Sequence, residues 1–333
     1  MAALAFVLCV IAIEVFARGH VEWFADLAAW QWQSKSDAIE SGALEGDIAI
    51  FGTSVLFHGL DTTSAVSRDG ARIVNLALNG MEWQHEAQLL RDRVNAPHPP
   101  RLAVVEFRQA AVEHDSWIRG PYFRFWATPG EFMESRFYYW DLPLSFTFLA
   151  NRALVTFRYR EAIDNWLFEA LRERRIPDAT RDRNRATAAA IRTRAGMSPA
   201  FDEDHLRAYV GPPRERTWAV NVAGELWMRR FLDLAASRGM QVVLLLPPSP
   251  PYLTERPGPN GFRARFDAEV AALRRDYPSL GLDVFEPKGF ALEDFADEIH
   301  LNLSGRSKMS AQFAQWIADY RPPVRTDLRA AAR

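Results

Sequence analysis

The sequence predicts an α/β protein: a parallel sheet flanked by helices. Two observations carry this. Short, almost uncharged apolar runs stop at Gly, Pro or polar turns, as strands buried on both faces do. Segments with helical spacing of apolar residues separate these runs, and strands alternating with helices imply a parallel sheet covered on both sides.

The first run, Gly46-Asp47-Ile48-Ala49-Ile50-Phe51-Gly52-Thr53-Ser54, reads as a buried strand ending in a turn. Arg72–Ala77 is a second short strand. Trp83–Val94 has apolar residues at helical spacing with charges opposite. Arg101–Phe107 is a third strand. From about Ala110 to Pro213 no strand pattern is visible. Phe123, Phe125, Trp126, Phe132 and Phe137–Trp140 crowd one stretch, a helical pattern runs from Asn151 to Arg174, and Arg181–Arg194 reads as a surface helix or a mobile loop. The alternation then resumes. Trp218–Arg238 is a helix with Gly239 as C-cap, and Met240–Leu246 is a strand stopped by four prolines between 247 and 251. Phe262–Tyr277 is a helix, Leu282–Phe285 a strand, and Ser304–Tyr320 a last helix. The predicted organisation is a signal anchor or signal peptide over 1–19, a connecting helix over 20–45, and an α/β domain over 46–322 with a helical insertion at about 110–215. A disordered tail follows over 323–333.

Composition bounds the function. The 333 residues suit one α/β domain with insertions or two small domains, and 48% hydrophobic content permits a sizeable core. A formal net charge of −2 argues against a general nucleic-acid binder. Lysine occurs only at Lys35, Lys288 and Lys308, so the basic charge is almost all arginine. The single cysteine, Cys9, excludes an internal disulfide and a cysteine-based zinc site. No clustered His and acidic residues suggest another metal, and no cofactor is expected.

Residues Ala2 to Ile13 are uninterrupted apolar, Glu14 intrudes, and Val15-Phe16-Ala17 precedes Arg18. The clean run is shorter than the roughly 20 residues of a spanning helix. It reads as a signal-peptide core cleaved after Ala17, as an uncleaved anchor, or as a buried helix. The exported readings are preferred, the anchor above the signal peptide. They place the chain in a bacterial cell envelope, membrane-anchored or periplasmic.

Two segments carry chemistry. Ser54 stands at the carboxyl end of the first strand, where open parallel sheets bind ligands. Asp297 and His300 stand together in Asp297-Glu298-Ile299-His300, before the last helix. A serine hydroxyl needs a base, and the base needs a carboxylate to fix its tautomer. Alone, a Gly-Thr-Ser turn reads more often as a helix cap and Asp-x-x-His as chance; the joint pattern is more specific.

That joint pattern resembles the SGNH/GDSL hydrolase superfamily. Its first block, a serine after the first strand, corresponds to Phe51-Gly52-Thr53-Ser54, and its last to Asp297–His300 continuing as Leu301-Asn302-Leu303-Ser304-Gly305. Asn75-Leu76-Ala77-Leu78-Asn79-Gly80 fits the second block. The resemblance covers about residues 46–108 and 218–320 and implies a flavodoxin-like three-layer fold, an acyl-Ser54 intermediate, and an oxyanion hole from the N–H groups of Ser54 and Gly80. The third block departs from the pattern: Val105-Glu106-Phe107-Arg108-Gln109 lacks the expected Asn. Arg108 or Gln109 substitutes as donor, or the hole has two donors. If Arg108 faces the cleft, Glu106 on the same strand face is its natural partner; the alternative is a plain structural ion pair. This departure, the insertion and the apolar N-terminus are most similar to the cell-envelope branch, which includes DltD-like and AlgJ/AlgX-like proteins. The resemblance implies an acyl-ester substrate on a carbohydrate polymer and a membrane-bound O-acyltransferase partner.

The remaining candidates rank lower. His58, one helical turn after Ser54, reads as a substrate contact or a local packing group, with Asn79 a second substrate-binding candidate. His20, His85, His98, His114 and His205 have no partner pattern. The expectation is a serine esterase or O-acyltransferase with Ser54 as nucleophile. The alternative is an inactive SGNH-like envelope protein that binds a polymer or an acyltransferase.

Overall fold

The computed structural model describes residues 2–63, 65–67, 69–107, 128–130, 132–133, 142–174, 178–193, 214–216, 222–255, 258–297 and 299–320. In chain order the main elements are α1 (Ala2–Gly19), α2 (Val21–Phe24), α3 (Leu27–Glu40), β1 (Ile48–Phe51), α4 (Ser54–Gly59), β2 (Ile73–Asn75), α5 (Trp83–Val94) and β3 (Leu102–Glu106). They continue as α6 (Leu142–Ala153), α7 (Val155–Arg158), α8 (Arg160–Glu173), α9 (Asp178–Thr193), α10 (Val222–Ser237), β4 (Gln241–Leu245), α11 (Phe262–Asp276), β5 (Asp283–Phe285) and α12 (Leu303–Asp319).

Among the described residues, the five strands form one wholly parallel sheet in the order β2-β1-β3-β4-β5. β1 and β3 are buried at every position, which is why their sequences carry no polar alternation. Helices flank this sheet. Phe231 of α10 meets Phe51 edge-on at 5.3 Å, Phe266 of α11 meets Phe107 at 5.0 Å, and Phe313 of α12 meets Phe285 at 5.8 Å. The order β2-β1-β3 reverses direction at β1, so its carboxyl end opens at the switch point where such sheets bind ligands.

The chain forms two compact units: residues 1–37 with 114–191, and residues 38–113 with 192–333. The second unit holds the sheet. The first is helical, with a core of Ala17, Phe24, Ala25, Ala29, Val155 and Tyr159. Two polar side chains tie its helices together. Glu14 of α1 accepts from Val155 N–H at 2.7 Å and from Thr156 N–H and hydroxyl at 3.0 and 2.8 Å, capping the start of α7. Asn184 of α9 donates to the carbonyls of Glu22 and Ala25 at 3.0 and 2.9 Å, satisfying the end of α2.

Several elements depart from the sequence expectation. The helix expected over 20–45 is two, broken at Ala25 because Asp26 caps a new start, accepting from Ala29 N–H at 2.8 Å. The 151–174 pattern is divided among the end of α6, α7 and α8, and residues 181–193 of the 181–194 segment lie within helix α9. An unforeseen parallel pair joins Arg214–Arg216 to Leu253–Glu255. Arg108, Gln109, His114, most of the 123–140 aromatic cluster, His205 and the 323–333 tail lie outside the described residues. Among the described residues no helix is long and apolar enough to cross a membrane.

Candidate active site

The site is built at the carboxyl end of β1. Gly52 follows the strand, and a Cβ there would lie 2.6 Å from Glu106 Oε2, so only glycine lets the buried Glu106 side chain approach. Glu106 accepts from Thr53 N–H at 2.7 Å, and the Thr53 hydroxyl lies 3.0 Å from both its carboxylate oxygens. Thr53 Oγ1 also accepts from Val55 N–H at 3.1 Å as the N-cap of α4. Ser54 is thus the first residue of a helix whose entry is fixed on both sides. Glu106 thus serves Thr53, while Arg108 and Gln109, and with them the expected Glu106–Arg108 pairing, lie outside the described residues.

The partner loop is equally constrained. Phe295 and Leu301 form an antiparallel bridge, and Ala296 N–H donates to His300 O at 2.6 Å, closing a tight loop over 295–301. Asn302 caps α12, accepting from Gly305 N–H at 3.0 Å, and donates back to Glu293 O at 2.6 Å. Gly305 has no room for a side chain: a Cβ would sit 2.1 Å from Asp294 O and 2.9 Å from Leu301 Cδ2. Beneath the loop, Asp294 accepts from Lys308 Nζ at 2.9 Å and Ala291 N–H at 2.9 Å. Burial opposes the Asp294 charge, yet these donors hold its carboxyl below the usual range.

The loop delivers a hydrogen-bond chain to Ser54. His300 Nε2 lies 2.7 Å from Ser54 Oγ, and His300 Nδ1 lies 2.6 Å from Asp297 Oδ2. Asp297 Oδ1 accepts from the backbone N–H groups of Ile299 and His300, each at 2.8 Å. Burial works against the Asp297 charge, but the His300 hydrogen bond and the two backbone donors outweigh it and bring the carboxyl down to about 2. Asp297 therefore stands ionised beside Nδ1. That arrangement favours the tautomer with the proton on Nδ1 and a free acceptor at Nε2, facing the serine hydroxyl.

The other named residues surround this chain. Leu76 N–H donates to Ile50 O at 2.7 Å and Leu78 N–H to Gly52 O at 3.0 Å, which carries Asn79 and Gly80 along the same edge. Gly80 has φ +67, a conformation glycine adopts without strain. His58 Nε2 lies 2.9 Å from Asn79 Oδ1, and its ring stands edge-on to His300 at 6.3 Å. The structure thus brings His58 to the site's wall and joins it to the Gly80 loop. His85 belongs elsewhere, with Nδ1 accepting from Glu82 N–H at 2.7 Å at the start of α5.

Sequence reasoning named Thr53, Asn302 and Gly305 only as parts of motifs and Glu106 only as a partner for Arg108, and missed how the four hold the site. The available signal was an acid, Glu106, closing an otherwise apolar strand. Among the described residues no group of three or more His, Cys, Asp or Glu could hold a metal ion. The chain matches no protein-family model and no curated protein.

Proposed function

We propose that the chain is a serine esterase or O-acyltransferase of SGNH type that works through an acyl-Ser54 intermediate. The observation that carries this reading is the unbroken chain Ser54–His300–Asp297, with contacts of 2.7 and 2.6 Å, at the carboxyl edge of a parallel sheet. Ser54 Oγ attacks the ester carbonyl while its proton passes to His300 Nε2. Negative charge collects on the carbonyl oxygen, and the N–H groups of Ser54 and Gly80 are the proposed donors that receive it. The ester C–O bond breaks, and the His300 proton goes to the leaving alkoxide. In the second half, water or a sugar hydroxyl gives its proton to His300 and takes the acyl group, freeing Ser54.

The proposed place of action is the bacterial cell envelope, with an acylated carbohydrate polymer as substrate and a membrane-bound O-acyltransferase as partner. An uncleaved anchor fits better than a signal peptide cut after Ala17. Ala17 is buried in the helical core, and Glu14 caps α7, so cleavage would remove working parts of that unit. Labelling with a fluorophosphonate probe tests the chemistry. The parent should label and Ser54→Ala should not; equal labelling of both, or of neither, would refute the reading.

A further inference from the structure

The large apolar side chains exposed among the described residues belong to the helical unit with three exceptions, Val66, Ile299 and Leu303. Their arrangement differs between helices. In α1, the consecutive residues Phe6, Val7, Leu8 and Cys9 are all exposed. Each step of an α-helix turns about 100°, so these four face outward around nearly the whole circumference. A protein partner covers one stripe of a helix, whereas a fluid hydrocarbon covers all of it. In α6, Leu142, Phe146 and Leu149 are 75%, 67% and 64% exposed and share one narrow face, while Phe148 turns inward and stacks on Phe132 at 4.4 Å. The only charged residue of α6 is Arg152, in its last turn. The α8 helix also exposes Phe168 and Leu171, but Glu161 and Asp164 are exposed on it too, so it is a poorer match to lipid.

Contacts join α1 to the end of α6 and to the start of α7. Arg18 donates to Ala153 O at 2.6 Å, and Glu14 holds the N–H groups of Val155 and Thr156. Arg18 and Arg152 therefore stand where the two apolar helices meet, with the Arg18 guanidinium held 2.8 Å from Glu14. We propose that the helical unit seats on a lipid bilayer through two surfaces, α1 within the hydrocarbon and the Leu142–Phe146–Leu149 stripe of α6 lying in the interface. The proposal shares α1 with the envelope assignment above but does not depend on Ser54 chemistry. A helical unit held at two points has a fixed attitude to the membrane instead of swinging from a single tether.

Cys9 is the only cysteine, so placed labels are simple to make in the full chain. An environment-sensitive fluorophore would be attached at Cys9, or at Phe146→Cys, Leu149→Cys or Val66→Cys in a Cys9→Ser background. Vesicles of phosphatidylethanolamine and phosphatidylglycerol would then be added, with and without shallow spin-labelled lipid. Probes at 9, 146 and 149 should blue-shift and be quenched, while the probe at 66 on the other unit should not respond. Phe146→Glu should weaken vesicle affinity by about 10-fold. Probes at 146 and 149 that behave like the probe at 66 while position 9 inserts would overturn the proposal. So would a response that follows protein concentration instead of lipid, since a second copy would then cover the stripe. Fluorophosphonate labelling of the same preparations reads Ser54 separately, so either idea can fail alone.

Discussion

The two units use polar side chains for opposite ends. In the α/β unit, Glu106, Asn302 and Asp294 spend their hydrogen bonds on two short segments, and the result is three side chains held in line. In the helical unit, Glu14 and Asn184 spend theirs on the ends of neighbouring helices, and the result is a small body that carries most of the exposed large apolar side chains among the described residues. On the proposed reading, one unit is organised around a reaction and the other around a surface. Substitutions should therefore separate chemistry from attachment.

The largest effect is expected at Asp297. Asp297→Asn keeps a similar shape but favours the wrong tautomer of His300, so turnover should fall by about 10⁴-fold with vesicle binding unchanged. The same residue predicts an acid limb. Its carboxyl is depressed from the usual 3.8 to about 2, so the stability it contributes is fully present above pH 3.8 and is lost as pH falls towards 2. Acid titration of the parent and Asp297→Asn should diverge within that window, the parent alone losing stability there through this group. Parallel titration curves would show that the His300 contact is not maintained in solution.

Gly305→Ala comes next. The added methyl meets Asp294 O and Leu301, so the loop bearing His300 must move. Stability should fall by about 1–3 kcal/mol, the scale of overpacking, and turnover by about 10²-fold from a displaced base. Thermal melting and ester cleavage together check this. Full turnover in a destabilised variant would show that the loop tolerates the shift.

A third substitution probes the other unit. Glu14→Ala removes the acceptor for Val155 and Thr156 and should cost the helical unit about 1–2 kcal/mol. Burial works against the Glu14 charge, but the hydrogen bonds from Thr156 and Val155 prevail and hold its carboxyl below the usual range. Its contribution is therefore present above the ordinary carboxylate pKa and fades as pH falls through the lowered one. Hydrogen exchange at the Val155 and Thr156 amides should accelerate while Ser54 labelling is unchanged. A matching loss of Ser54 labelling would break the division of labour between the units.

The sequence made the sheet legible for a physical reason. Ile48–Phe51 and Leu102–Glu106 are buried on both faces, so their apolar runs are unmixed and end where the turn begins. Ser54 was legible because it sits beside such an ending, and the Asp297/His300 pair because it stands just before the last helix. What escaped notice depends on distant partners. Glu106 closing β3 looks the same in sequence whether it meets Arg108 or Thr53. Glu14 looks like a flaw in an apolar run until residues 141 positions away supply its donors. The Arg214–Arg216 strand has three polar residues and exists through its partner at 253–255.

The smallest expected effect lies where the two characters overlap. Ile299 and Leu303 flank His300, and they are 53% and 42% exposed in a unit whose other exposed large apolar side chain among the described residues is Val66. A single exposed apolar residue needs no explanation, but two beside a candidate base invite one. The backbone N–H of Ile299 is committed to Asp297, so the loop cannot turn this side chain inward without releasing the carboxylate. Its position beside His300 fits contact with the acyl chain of a bound ester. An exposed contact of this kind is weaker than an enclosed pocket, where one methylene is worth about 1–3 kcal/mol. Ile299→Ser should accordingly raise KM for a butyryl ester about 3-fold relative to an acetyl ester, with kcat unchanged for both. Equal losses in kcat would assign Ile299 to the stiffness of the loop instead. Unchanged constants for both esters would leave the acyl chain lying elsewhere along the edge, towards His58 and the Gly80 turn.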